Sequence, residues 1–208
     1  MIQQVSSVEA DTTTASKRKV VCDAAIQVFI EDGYAASMDR IASRAGVAKQ
    51  TLYNQFGSKE QLFAEVIRQS VDAITLSLDE PGVDLRQSLL HFVEVFRRRA
   101  LSQRGLGLHR ALIAEAPRFP KLARVIYEKG PANARDALAR FLQAAMDIGQ
   151  LRKADAQFAA ELLLSTLAGF ERVRLLYGVK SDSTSLNEKQ KCVAIVDCFL
   201  NGLATAKV

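Results

Sequence analysis

Apolar residues recur at three- and four-residue intervals along nearly the whole chain, and no stretch alternates apolar with polar positions as a half-buried strand does. The pattern predicts an all-α protein. A first helix covers about Lys17 to Asp32, with Val21, Ala24, Ala25, Val28 and Phe29 on its apolar stripe and Gly33 as its stop. A short second helix runs from Met38 to Ala45 behind Ser37 as cap; Gly46 breaks it, and a third short helix occupies Lys49 to Phe56. Ser58 opens a fourth helix, with Glu60 or Gln61 in its first turn, which continues to about Leu78. After the turn-rich "DEPGVD", Asp79 to Asp84, helices are predicted at about Leu85–Ser102 and Leu106–Glu115. "APRFP" then breaks the pattern. A shorter helix ends at Glu128, and longer ones follow at Ala132–Ile148, Ala156–Tyr177 and Asn187–Ala206, the last two separated by the polar "GVKSDSTSL". The opening "MIQQVSSVEADTTTASKRK" reads as a polar, mobile arm.

The third helix stands out by what it lacks. Val47, Leu52 and Phe56 form its buried side, which leaves Lys49, Gln50, Thr51, Tyr53, Asn54 and Gln55 for an exposed surface. These side chains donate and accept hydrogen bonds at base edges and phosphates. In the preceding helix Ile41 and Ala45 supply an apolar face, and Ala42 is small where two helices cross closely. Gly46 adopts positive φ at little cost, so the pair has the makings of a helix-turn-helix.

Charge strengthens this only mildly. The 208-residue chain carries a formal net charge of +5. From Lys17 to Lys59 seven basic residues face four acidic ones, a local excess of +3, and phosphate neutralisation supplies much of the affinity for DNA. Lys17, Arg18 and Lys19 are read either as a solvated helix start or as minor-groove or phosphate contacts. Cys22, Cys192 and Cys198 form no metal-ligand cluster, and their odd number argues against a disulfide scaffold; a reducing cytoplasm fits them. No cofactor or metal site is expected. The richest apolar run, Ala156 to Leu176, is interrupted by Glu161, Glu171, Arg172 and Arg174, so no membrane span is predicted.

"SMDRIASRAGVAKQTLYNQFGSKEQLFAEVI" resembles the DNA-binding domain of the TetR family of bacterial transcriptional regulators, and the resemblance extends over about Arg18 to Ile67. It implies that Ser37 contacts phosphate as it opens the second helix. Lys49, Gln50 and Thr51 then begin the recognition helix and reach bases or flanking phosphates. It implies further that the Tyr53 hydroxyl meets a backbone phosphate, that Asn54 reads bases, and that Lys59 contacts phosphate. Gln55 stands where histidine is common in the family, and either reads a base or braces the helix. The implied organisation is an arm at 1–16, a three-helix DNA-binding domain at 17–63, and a helical ligand-binding and dimerisation domain at 64–208.

"LHRALIAEAPRFPKLARVIYEKGPANARDALARFLQAAMDIGQLR" resembles a widespread subtype of TetR C-terminal domain, of the AefR-like kind, whose ligands are diverse. The candidates for effector contact are the aromatic and polar residues on apolar faces: Phe92, Phe96, His109, Phe119, Tyr127, Phe141, Phe170 and Tyr177. The run Arg97, Arg98, Arg99 reads as a solvated face. The last two helices read as the dimer surface, because "AAELLLSTLAGFERVRLLYG" spreads apolar residues around too much of the helix for one buried stripe. Cys192 and Cys198 there read as small buried hydrophobes, with a redox switch as the alternative. Catalysis is not expected: there are two histidines, His91 and His109, and no nucleophile elbow or phosphate loop. The expected function is a homodimeric repressor that a small hydrophobic molecule releases from a near-palindromic operator. Activation in place of repression and a helical adaptor without DNA binding stand as alternatives.

Overall fold

The computed structural model describes residues 3–75, 78, 84–179 and 184–203, with the backbone alone for 3–16. All the described elements are helical. They run α1 Gln3–Asp32, α2 Met38–Ala45, α3 Lys49–Phe56, α4 Lys59–Thr75, α5 Leu85–Ala100, α6 Gln103–Glu115, α7 Pro120–Tyr127, a π-helical turn Glu128–Ala132, α8 Asn133–Asp147, α9 Ala156–Leu176 and α10 Glu188–Leu203.

Several ends differ from the expected ones. The first helix begins at Gln3 where the sequence suggests about Lys17: no glycine or proline precedes Asp32, and adding a residue to an existing helix gains a hydrogen bond without new nucleation. The expected ends of α4 and α10 lie partly on residues 76–77 and 204–206, outside the described residues, as does 79–83 of the "DEPGVD" connector. The expected break before Ala132 is bridged by the π turn. Its wider hydrogen-bond register takes in Pro131, which has no N–H to offer.

The chain forms two compact units that are not contiguous in sequence: Met1–Arg68 with Gly107–Ile126, and Gln69–Leu106 with Tyr127–Val208. The first unit runs past Phe63 to Arg68 and takes in Gly107–Ile126. Its core includes Val21, Ala25, Val28 and Phe29 of α1, Ile41 of α2, Leu52 and Phe56 of α3, and Leu62, Phe63 and Val66 of α4. Leu108 and Leu122 join the same cluster. Phe63 meets Phe29 edge-on at 4.5 Å, and Phe119 meets Tyr34 at 5.1 Å. Gly107 lets α6 lie close to α1, since a Cβ there would come within 2.9 Å of Ile30.

The second unit buries Leu89, Phe92 and Val93 of α5, Leu138 and Leu142 of α8, Leu163 and Leu167 of α9, and Cys192 and Val196 of α10. Asp84 caps α5, and Asn187 with Gln190 forms a reciprocal capping box for α10. Two arginines of α5 tie down α10. Arg86 forks onto Asp197 at 2.8 and 3.1 Å. Arg97, expected in a solvated run, is 3% exposed and bonded to Glu171, Glu188 and the Leu167 carbonyl. Its desolvation is outweighed by those carboxylates, which hold the guanidinium firmly charged. Cys192 is buried as expected, whereas Cys198 is exposed, because α10 turns it outward.

Candidate nucleic-acid interface

The reading head is α2 and α3 with the turn between them. Ser37 has extended backbone and its Oγ accepts from the Arg40 N–H at 3.2 Å, so the hydroxyl caps α2 and stays exposed. α2 ends at Gly46, φ 66°, whose N–H serves the carbonyls of Ala42 and Ser43. This left-handed residue turns the chain into α3 where a Cβ would be strained.

Leu52 and Phe56 anchor α3 in the core. Lys49, Gln50, Thr51, Tyr53 and Asn54 are all exposed. Lys49 Nζ donates to Asp39 of α2 at 2.9 Å, and this bond raises its pKa. Gln50 Nε2 donates to Asn54 Oδ1 at 2.9 Å, one turn on, so two base-reading candidates brace each other on the outer face. Gln55 is half-buried; its Oε1 is buried and finds no hydrogen-bond partner among the described residues.

Lys59 sits differently from the rest. Its Nζ donates to the carbonyls of Tyr34 at 2.7 Å and Ala36 at 3.2 Å, and lies 4.3 Å from the Tyr34 ring centroid. Two of its three donors are thus used inside the head. The Tyr34 hydroxyl donates to Glu60 at 3.0 Å; burial, then this bond, pushes the phenol pKa up. Arg18 of α1 reaches the far end of α3, donating to the Gln55 carbonyl at 3.0 Å. Among the described residues Lys17 and Lys19 show no comparable anchor.

The effector candidates take different settings. Phe92 is fully buried beside Phe96, with ring centroids 6.2 Å apart. His109 and Phe119 belong to the first unit and the other candidates to the second. Tyr127, Phe170 and Tyr177 point outward, the last two about four-fifths exposed. Phe141 lines a roomy cleft, about 460 Å³, with Asp72, Thr75, Asn133 and Arg140. An aromatic on an apolar helix face reads the same in sequence whichever way the face turns. In α9, Phe158 and Leu162 before the non-helical Gly169, and Phe170 and Val173 after it, are instead exposed, as is Tyr177 just past its end. Beside them a groove of about 540 Å³ opens against Ile195, Cys198, Phe199 and Leu203 of α10. Among the described residues no group of three or more His, Cys, Asp or Glu side chains is placed to hold a metal ion. No described helix is long and apolar enough to cross a membrane.

Comparison with known proteins bears directly on this head. Residues 21–66 match the family described as bacterial regulatory proteins, tetR family, and residues 87–202 match the AefR-like transcriptional repressor C-terminal domain. The chain belongs to the TetR family of transcriptional regulators. Its likeness to the flavonoid-responsive regulator FrrA covers 93% of this chain and all of that one, at 32% identity and a TM-score of 0.69. A TetR-family regulator from Mesorhizobium loti covers 92% of the chain and 98% of its own, at 28% identity and TM-score 0.75. The transcriptional activator FasR of Mycolicibacterium smegmatis is 43% identical over 77 residues, 35% of each chain, so the match spans about a third of that relative's length. The regulator YezE of Bacillus subtilis is 29% identical over 149 residues, 68% of this chain and 76% of its own. This TetR-family protein is a DNA-binding transcriptional regulator, and the families it matches are regulators, not enzymes. DNA and a second copy of the chain are the partners that TetR-family regulators take.

Proposed function

We propose that the protein is a cytoplasmic repressor that holds a near-palindromic operator as a homodimer and leaves it when a small molecule binds the second unit. The observation that carries this reading is the outer face of α3, where Lys49, Gln50, Thr51, Tyr53 and Asn54 are exposed together while Leu52 and Phe56 hold the helix from behind. Ser37 at the start of α2 and the Tyr53 hydroxyl supply phosphate contacts beside that face. The Gln50–Asn54 pair supplies base contacts, through amides suited to adenine edges. Repression is favoured because the matched C-terminal family, over 87–202, is one of repressors, whereas the activator FasR is matched over 77 residues.

Dimerisation runs through α9 and α10, whose exposed apolar residues and groove are otherwise left in water. Two-fold symmetry then presents two α3 helices to successive major grooves, about 34–36 Å apart in the simplest case. The effector occupies the cleft beside Phe141, where Arg140 and Asn133 offer donors and Asp72 and Thr75 bring α4 to its wall. FrrA's description as flavonoid-responsive supports an aromatic effector. Release requires that the effector bind tighter to the DNA-free state than to the operator-bound one.

Selection from a randomised duplex library tests the reading. The wild-type protein should enrich one near-palindromic sequence and sediment as a dimer, and Leu162→Glu should sediment as a monomer and lose at least about tenfold in operator affinity. Enrichment of no sequence would refute it.

A further inference from the structure

We propose that Arg18 sets the pose of the recognition helix from behind, as a positioning residue and not a phosphate ligand; this rests on the DNA-binding reading above. α3 is only eight residues long, too short to be stable by itself, so its direction is set by what holds it. Leu52 and Phe56 pin it along one side. Its amino end has no side-chain cap, since Ala48 stands at that position.

Its carboxyl end is held by a different device. Of its last carbonyls, that of Tyr53 accepts from the Gly57 N–H at 2.8 Å and that of Phe56 from the Ser58 N–H at 2.9 Å. The Gln55 carbonyl accepts from Arg18 Nη1 at 3.0 Å, across 37 residues of sequence. The same guanidinium lies 4.7 Å from the centroid of the Phe56 ring, and its Nη2 lies 3.8 Å from Glu65 of α4. Glu65 is steadied by Arg68 at 2.7 and 2.9 Å. One side chain therefore ties α1, α3 and α4 together, and its positive charge meets the negative end of the α3 dipole. The branched guanidinium is essential to this arrangement: two of its nitrogens reach the Gln55 carbonyl and Glu65 while its central carbon lies over the Phe56 ring, which an ammonium cannot do in the same geometry. A tilt of α3 about its buried side would carry Lys49, Gln50 and Asn54 off their base edges while leaving the head folded.

The test uses the full-length protein, the duplex that the wild type enriches and an unrelated duplex of equal length, with anisotropy titrations over a range of salt. Arg18→Lys keeps the charge and loses the fork; Arg18→Gln loses both. Thermal melts establish that each variant is folded at the assay temperature, and Arg18→Lys decides should Arg18→Gln melt too low. Both variants should bind the enriched duplex roughly ten- to a hundredfold more weakly, the scale of one charge-assisted hydrogen bond. Affinity for the unrelated duplex and the salt slope should stay at the wild-type values. Arg18→Lys with wild-type affinity, or a salt slope lowered by about one in the glutamine variant, would make Arg18 a phosphate cation and overturn the proposal. A wild type that enriches no duplex would instead defeat the DNA-binding reading itself.

Discussion

The ammonium of Lys49 lies 2.9 Å from the carboxylate of Asp39, so the first residue of the recognition helix is tied to the first turn of the helix before it. Both side chains are more than half exposed, and a pair so placed adds little to stability. Its effect falls on the interface: Asp39 sets a negative charge beside a lysine that has to meet an anionic polymer. Asp39→Asn is expected to raise affinity for an unrelated duplex severalfold at about 0.1 M salt and to steepen the salt slope by up to about one. The melting temperature should stay at the wild-type value. Anisotropy over a salt series checks this, and weaker binding would show that the carboxylate aims the lysine.

Lys59 has the opposite character. With two donors on the Tyr34 and Ala36 carbonyls and its charge against the Tyr34 ring, it ties the start of α4 to the turn after α1. Lys59→Met should destabilise the protein by about 1–3 kcal/mol, the cost of two half-buried carbonyls left without a charged donor. Chemical denaturation measures this. A stability equal to wild type with a strong loss of DNA affinity would mark Lys59 as chiefly a phosphate contact.

Stability should depend on acid through Glu171. Burial works against its ionised form, but the bonds from Arg97 and Lys191, at 2.6 and 3.0 Å, hold its pKa below the ordinary value. A carboxylate depressed in the folded state adds stability above its unfolded pKa of about 4.3, and that stability is lost as pH falls through the folded value. The melting temperature should therefore fall as the pH drops below about 4.3, and Glu171→Gln should flatten that fall while lowering the plateau at neutral pH. Melts across the pH series would contradict this if the variant and wild-type curves ran parallel.

The reading head was legible because its signals are local. Ser37, Gly46, Leu52 and Phe56 lie within 20 residues of one another and each does a job that its residue type allows few rivals to do. Arg97 was not legible, because three arginines in a row look like a solvated face. The carboxylates that draw one of them inside lie 74 and 91 residues away. Phe92 and Phe170 show the same limit in the other direction: two phenylalanines in apolar helix stretches, one fully buried and the other 79% exposed. Lys59 matched a phosphate-contacting position, but only the fold shows the carbonyls of Tyr34 and Ala36 beneath it.

The discontiguous first unit bears on how this chain can be cut. A fragment stopped after Arg68 would carry the whole helix-turn-helix, yet it would lose Leu108 and Leu122 from its core cluster and Phe119 from against the Tyr34 ring. Part of that core would then meet solvent, an invitation to clumping. Excising a well-behaved miniature binder from this regulator therefore calls for α6 and α7 to be grafted along with it, or for the stripped surface to be repainted with polar side chains.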